Sequence, residues 1–516
     1  MKRIIQLLII AALALPGLPG CVNDRGDYDY KDIPEFVSEK CEVSVNGKTQ
    51  TLASGNKIVV ETNDLLHITL NGHFTKEVSP EYRWMIFPKT QQDNSDHIFE
   101  QAREIAATQD FDQPFTEAPG TYILYFEAKN TVDNTLFHHL FEVEVLSLKG
   151  MLVYYTDAEG KGDYGAVTTA ELFPDIPADK LGQNKDIYSA INEEKIDRPT
   201  QIWVRMPAEQ RKEFRRILLA SENTVTVVNY ETHEKESDNY NSLFVIPPEK
   251  EALPQGFNNG FQCEHLIQNG DLCRYDYMGG SLKPLFGLHM GTPGCEYSPY
   301  IMNLPYLQGE DTGGESIVFN ETMRGFECDY YGFLMPFMSV GGDVDISATG
   351  MELLYVDKGV GKTIHAVMLD DDGHLHYVCF EMNLNMDMYA YEGLCTRDLD
   401  LSGSEAGTMS CWAIAARGDF AYFSSGTEVY LLNHAANTVT PMNLGLPVGA
   451  EITALQVLKD PDNIVYDNAL LFVAYNLNGE GTLLQYRFNG LSGAINSGSK
   501  KEFSGFGKIL GIALKK

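Results

Sequence analysis

The 516-residue chain is short of positive charge: 39 Lys and Arg stand against 72 Asp and Glu, a formal net charge of −33. A field of that sign makes nucleic acid and anionic membrane surfaces poor partners. No Cys-x-x-Cys pair occurs, so the strong spacings for structural zinc and dithiol redox chemistry are absent. No Gly-x-Ser-x-Gly elbow for a serine nucleophile occurs either. After the first twenty residues, no apolar run approaches the length that crosses a bilayer as a helix. What the chain does contain is 44% hydrophobic residues and 11% aromatics, enough to build substantial cores and to exclude disorder. Its length implies two or more domains.

The amino-terminal segment, residues 1–20, has the three parts of a secretory signal in order. Lys2 and Arg3 supply the positive start, and Ile4 to Leu15 is apolar apart from Gln6, too short to span as a mature helix. Pro16 and Gly17 end it. Leu18-Pro19-Gly20-Cys21 then resembles the lipobox of bacterial lipoproteins, with Pro19 an unusual second element. The expectation is lipidation at Cys21 with two or three acyl chains, since one holds only marginally. An ordinary secretory signal with an incidental cysteine is the alternative. Residues 21–38 read as a tether, acidic at Asp24, Asp27 and Asp29, resembling the signals that send Bacteroidota-type lipoproteins to the outer cell surface.

Residues 39–148 read as one immunoglobulin-like β-sandwich. Leu66, Ile68 and Leu70 alternate with more polar positions, Trp84 falls mid-strand in Tyr82 to Ile86, and Phe141, Val143 and Val145 alternate with Glu142 and Glu144. From 149 to 516 the pattern changes to short strands broken by turns at the period of propeller blades, roughly 40 to 50 residues. Strands are expected at Met151 to Tyr155, Ile202 to Met206, Val225 to Asn229 and Leu243 to Ile246, with a helix at Ala208 to Ala220. His265 to Leu272 reads as a hairpin around Asn269-Gly270. Trp412 to Ala416, Phe420 to Ser424 and Val429 to Asn433 form the clearest blade, and Ile509 to Ala513 a closing strand. Seven blades are expected, with eight the alternative, because Asp276 to Phe337 is rich in Gly, Pro and Tyr and reads as long loops. The fold class is therefore all-β: a sandwich followed by a β-propeller-like domain.

Cysteine leaves the pairing open. Besides Cys21, eight cysteines remain, and an exported chain permits disulfides that a domain this large does not need. Most are expected to be buried as small hydrophobes, with Cys263 and Cys273, flanking the hairpin, the first pair to test.

Taken in order, Asp27-Tyr28-Asp29-Tyr30-Lys31-Asp32-Ile33 after Cys21, Arg83-Trp84, Pro119-Gly120-Thr121-Tyr122, Lys149-Gly150-Met151-Leu152-Val153 and Ala474-Tyr475 resemble the PKD-like family of Bacteroidota lipoproteins, in which a sandwich precedes a propeller-like region. Each stretch is short and unspecific, and the order and spacing carry the resemblance across nearly the whole length. It implies an outer-membrane protein facing the cell exterior beside SusC/SusD-type uptake complexes, capturing peptides or glycans, and it transfers no catalytic residues.

Chemical motifs read weakly. Gly359-Val360-Gly361-Lys362-Thr363 has the end of a phosphate loop but Val356 where the first glycine belongs. His374 and His376 share a strand face without an evident third ligand, and incidental exposed histidines are the favoured reading. Asp370-Asp371-Asp372-Gly373 offers oxygen ligands for calcium but lacks the EF-hand spacing, and a polar turn explains it as well. No other cofactor or metal is expected. What remains is a recognition surface. Tyr297, Tyr300, Tyr306, Tyr330 and Tyr331 lie among glycines and prolines and are the ligand-binding candidates if their loops converge, while half or more of them buried is the competing reading. Trp203 and Trp412 begin strands and read as core. A non-enzymatic surface binding lipoprotein is expected, with a propeller-type polysaccharide hydrolase or lyase as the alternative.

Overall fold

The computed structural model describes residues 35–516, except 51–56, 90–101, 207–213, 249–252, 277–284, 304–315, 403–408 and a few shorter stretches. The leader, Cys21 and the acidic segment after it lie outside the described residues. The chain divides into two compact units after Leu146.

In the first unit, two sheets enclose one core. One sheet runs Lys48–Gln50, Phe36–Val45, Leu65–Phe74, Phe111–Pro114, and the other Lys57–Glu61, Leu136–Leu146, Gly120–Asn130, Pro80–Pro88, Arg103–Ala106. Strict alternation sends Leu66, Ile68 and Leu70 from one sheet and Phe141, Val143 and Val145 from the other into the same core. Trp84 is fully buried at its centre, its ring 4.9 Å from Phe126 and 5.4 Å from Phe111, and its indole N–H donates to the Thr108 carbonyl at 2.9 Å. The first strand begins at Phe36, inside the stretch assigned to the tether, because Phe36 packs into this core against Phe74 and Phe137.

The second unit is a β-propeller, and among the described residues its strands form seven sheets. Counted from the chain start, blade 1 holds Gly150–Thr156, Lys161–Thr168 and Gly182–Asn184. Its innermost strand is Lys508–Lys515, from the far end of the chain, paired antiparallel to Gly150–Thr156. Blades 2 to 7 begin on the inner strands Pro199–Arg205, Pro254–Asn259, Met302–Asn303, Glu352–Lys358, Met409–Ile414 and Glu451–Val457. Each inner strand touches the next, and the last touches Lys508–Lys515, which in turn touches Pro199–Arg205, so the ring is closed.

Seven separate apolar cores fill the seven blade-to-blade interfaces, and period-two alternation builds them. In Gly150–Thr156, Met151, Val153 and Tyr155 pack toward blade 7, while Leu152 and Tyr154 pack toward blade 2. Such strands are apolar on both faces, which is why they read as short continuous apolar runs. The same arrangement corrects the later half of the helix expected at Ala208 to Ala220, whose residues 208–213 lie outside the described residues. Arg216–Ser221 is a strand, because Ile217 and Leu219 serve the interface with blade 1 and Leu218 and Ala220 serve that with blade 3.

Two other expectations are corrected. Leu243 to Ile246 is not a strand: Tyr240–Leu243 forms a 3-10 turn started by the Asn239 side chain accepting from the Asn241 N–H at 3.2 Å, and Leu243 and Phe244 drop into the core between blades 2 and 3. Asp276 to Phe337 is not only loops. It contributes blade 4, with Met302–Asn303, Ser316–Asn320, Gly325–Tyr330 and Phe333–Pro336 in one sheet. Ile317 and Phe319 pack toward blade 5 and Val318 toward blade 3. The expected hairpin turn does form, with φ of 52° at Asn269 and 73° at Gly270.

Candidate functional site

The inner strands leave a channel between them. Residues on or next to the inner strands of blades 1, 2, 5 and 7 line a cavity of about 610 Å³, among them Gln201, Trp203, Tyr355, Asp357, Gln456 and Ile512. A second cavity of about 370 Å³ lies against blades 5, 6 and 7 and is lined by Tyr300, Met409, Ser410, Cys411, Trp412 and Thr453. The two share Tyr355, Ala454 and Leu455, which form the partition between them. Both volumes fall in the range of small-ligand sites, ~300–1,000 Å³.

Polar groups concentrate at one edge of the larger cavity. Lys459, just past the inner strand of blade 7, donates from Nζ to a carboxylate oxygen of Asp357 at 2.7 Å and to the Lys358 carbonyl at 2.6 Å. Burial pulls the ammonium below its ordinary value, and the Asp357 carboxylate opposes that pull. The Tyr355 hydroxyl lies 3.4 Å from the same carboxylate, and its ring meets Tyr300 edge-on at 5.4 Å. Burial raises the Tyr355 phenol well above its usual range, so it stays protonated.

Behind this edge is a layer of neutral histidines. The Tyr377 ring stacks on His434 at 3.8 Å, and its hydroxyl is 2.9 Å from His365 Nδ1. Arg397 donates to His434 Nδ1 at 2.8 Å, which leaves the proton of the neutral ring on Nε2. Burial lowers His365 to about 4 and His434 to about 3.

Of the five candidate tyrosines, the side chains of Tyr297 and Tyr300 are described, and they go to different places. Tyr300 lines the channel, but Tyr297 is buried, donating from its hydroxyl to Glu327 at 3.0 Å and accepting from the Thr292 N–H at 2.9 Å. It holds a loop onto blade 4 and is not a ligand contact. Tyr330 ends the strand Gly325–Tyr330, and Tyr306 and Tyr331 lie outside the described residues. Trp203, read as core, is only half-buried and lines the channel; Trp412 is core and also walls the smaller cavity. Tyr355, Asp357 and Lys459 belong to no motif in the sequence. Their signal is the two-residue spacing of Tyr355 and Asp357 on one strand and of Ala454 and Gln456 on another, which puts each pair on one strand face.

The cysteine pairing is also corrected. Cys263 and Cys273 are both buried and neither is in a disulfide; in their hairpin Cys263 is opposite Asp276 and Cys273 opposite Leu266, so they are not cross-strand partners. The disulfide joins Cys379 and Cys395, direct partners on adjacent strands of blade 5 with Cα atoms 5.2 Å apart.

Two clusters resemble metal sites. In the turn before His374, one Asp370 oxygen accepts from the backbone N–H groups of Asp372 and His374, at 3.0 and 2.7 Å, and the other faces His376 Nε2 at 3.0 Å. These contacts, led by the His376 hydrogen bond, lower its carboxyl to about 2. Both oxygens are thus engaged in building the turn. Between blades 3 and 4, Cys263, His265 and Asp329 are fully buried together. There one Asp329 oxygen takes His265 Nε2 at 2.7 Å and Arg274 Nε at 2.6 Å, an ion-pair arrangement that places a guanidinium where a cation would bind. The element that follows at Thr363 is the strand Thr363–Leu369, paired to Glu352–Lys358, and not the helix a phosphate loop requires.

A sandwich followed by a closed seven-bladed propeller with a central cavity is the class of protein that the fold defines. No known protein family matches the sequence, and no curated protein sequence does. Among solved structures, the chain is similar to a quinonprotein alcohol dehydrogenase-like protein from Bacteroides thetaiotaomicron, at 12% identity and a TM-score of 0.38 over 92% of this chain and 99% of that one. The WD40 domain of SCAP from fission yeast aligns at 8% identity and a TM-score of 0.32, over 60% of this chain and 74% of that one. The Nup133 β-propeller domain of Vanderwaltozyma polyspora aligns at 11% and 0.29, over 56% and 82%. Likeness at this level says nothing of activity.

Proposed function

We propose that the chain is a lipid-anchored, outer-membrane binding protein facing the cell exterior, an accessory of a SusC/SusD-type uptake system that captures peptide or glycan fragments in its propeller channel. The observation that carries this reading is the cavity of about 610 Å³ walled by Trp203 and Tyr355. Aromatic faces on rigid strands give large contact area at little entropic cost. The anchor rests on the leader and Cys21, and the uptake partner on the ordered resemblance of the chain to PKD-like lipoproteins.

Binding is favoured over glycoside hydrolysis by the chemistry of the wall. Glycoside hydrolysis uses two carboxyl groups roughly 5 to 9.5 Å apart. Among the described residues lining the two cavities, Asp357 is the one carboxylate, and it is engaged by Lys459.

The test is calorimetric titration of the full chain with oligosaccharide and oligopeptide panels, alongside the variant Ala454→Trp, which fills the partition between the cavities. Capture by the channel predicts binding that the variant abolishes without loss of β-structure. Undiminished binding in the variant overturns the site, and slow conversion of a saccharide into products overturns the non-enzymatic reading.

A further inference from the structure

The channel carries a local reversal of charge. The protein as a whole has a formal charge of −33, yet the larger cavity is lined by two lysines, Lys358 and Lys459, and a single carboxylate, Asp357. With both lysines protonated, the wall carries one net positive charge inside a strongly negative molecule. A fixed cation in a partly enclosed wall acts at lower dielectric than one at the surface, so it weighs more in recognition than its count suggests.

An ammonium has three N–H donors. Lys459 spends two of them, one on Asp357 and one on the Lys358 carbonyl. The third has no hydrogen-bond partner among the described residues, and Lys459 lines the cavity. The Lys358 side chain is exposed at the same edge and forms no ion pair among the described residues. Around these two cations stand an aromatic ring pair, Trp203 and Tyr355, and the amides of Gln201 and Gln456, each able both to donate and to accept.

Resting on the reading of the channel as a capture site, we infer that its ligand is a short oligosaccharide bearing a carboxylate, a uronic-acid sugar. Its acid group meets Lys358 and the free Lys459 donor, its ring faces stack on Trp203 and Tyr355, and its hydroxyls bond to Gln201 and Gln456. A compact cavity of about 610 Å³ suits a few sugar rings better than an extended peptide, which gains affinity from a long run of main-chain hydrogen bonds at a sheet edge.

The test titrates the full chain with three probes, trigalacturonate, the neutral sugar maltotriose and a triglutamate peptide, following heat and tryptophan fluorescence. Trigalacturonate is expected to bind at least about tenfold more tightly than either of the others. Lys358→Gln, a change at an exposed side chain, is expected to weaken trigalacturonate about tenfold, the loss of one charge-assisted hydrogen bond, and to leave maltotriose unaffected. Equal affinity for maltotriose, or no response to Lys358→Gln, overturns the acid preference while leaving channel capture standing. Tighter binding of triglutamate overturns the sugar class. Should none of the three bind to native chain or to Ala454→Trp, the capture reading falls together with this one.

Discussion

Lys459 reaches past blade 6: from the end of blade 7's inner strand, its Nζ lies 2.7 Å from a carboxylate oxygen of Asp357 on the inner strand of blade 5. With side-chain exposures of 9% and 20%, the pair is largely withdrawn from water. Removing one partner of such a pair strands the other, which costs more than removing both. Asp357→Ala is therefore expected to destabilise the propeller by about 3 kcal/mol, and adding Lys459→Met to recover most of that loss. Urea unfolding of the two single variants and the double variant measures the coupling; additive effects would contradict it.

Ring closure depends on Asn476, whose side chain brackets the closing strand. Its amide N–H donates to the Ile509 carbonyl at 2.9 Å and its carbonyl accepts the Ile509 N–H at 2.7 Å, all buried. Asn476→Ala leaves both backbone groups without partners and is expected to cost about 2–4 kcal/mol. Faster proteolysis of the chain's last strand, read by mass spectrometry, locates the effect.

The disulfide Cys379–Cys395 closes a hairpin at a sequence separation of 16. The loop-entropy argument assigns about 3 kcal/mol to such a link. Peptide mapping without reductant is expected to recover this pair, with Cys263 and Cys273 still reactive once the chain is unfolded. Reductant is expected to lower the melting temperature of the propeller. A Cys263–Cys273 peptide would contradict the assignment.

Acid stability carries a signature of the buried histidines. His365 and His434 are lowered by burial from 6.5 to about 4 and about 3, so below pH 6.5 the unfolded chain takes up protons that the folded chain refuses. Their contribution is full above pH 6.5 and is lost as the pH falls through 4 toward 3. Glu264 works in the opposite sense. Burial raises it from 4.5 to about 7 despite its ion pair with Arg205, so its contribution is full below pH 4.5 and fades as the pH rises through 7. Thermal melts across pH 3.5 to 8 should show His434→Phe flattening the acid limb and Glu264→Gln flattening the neutral one.

The propeller was legible because its strands obey local rules. Asn269-Gly270 dictates its own turn, and runs such as Phe420 to Ser424 announce strands buried on both faces. What was not legible is which strand of each blade faces the channel. That assignment is fixed by the pairing of Lys508–Lys515 with Gly150–Thr156, more than three hundred residues apart in sequence, which makes the first strand of each later blade the inner one. Trp203 therefore read as core, and the Asp357–Lys459 pair, about a hundred residues apart, could not be seen as a pair at all. Of the two candidate tyrosines whose side chains are described, Tyr300 is brought to the channel and Tyr297 holds its own loop.

Amide hydrogen exchange of the full chain, with and without saturating trigalacturonate, addresses the channel directly. Capture there predicts slowed exchange in the inner-strand segments that line the larger cavity, around Trp203, Tyr355 to Lys358 and Ala454 to Lys459. Slowing confined to the outer strands or to the amino-terminal sandwich, with these three segments unchanged, would contradict it.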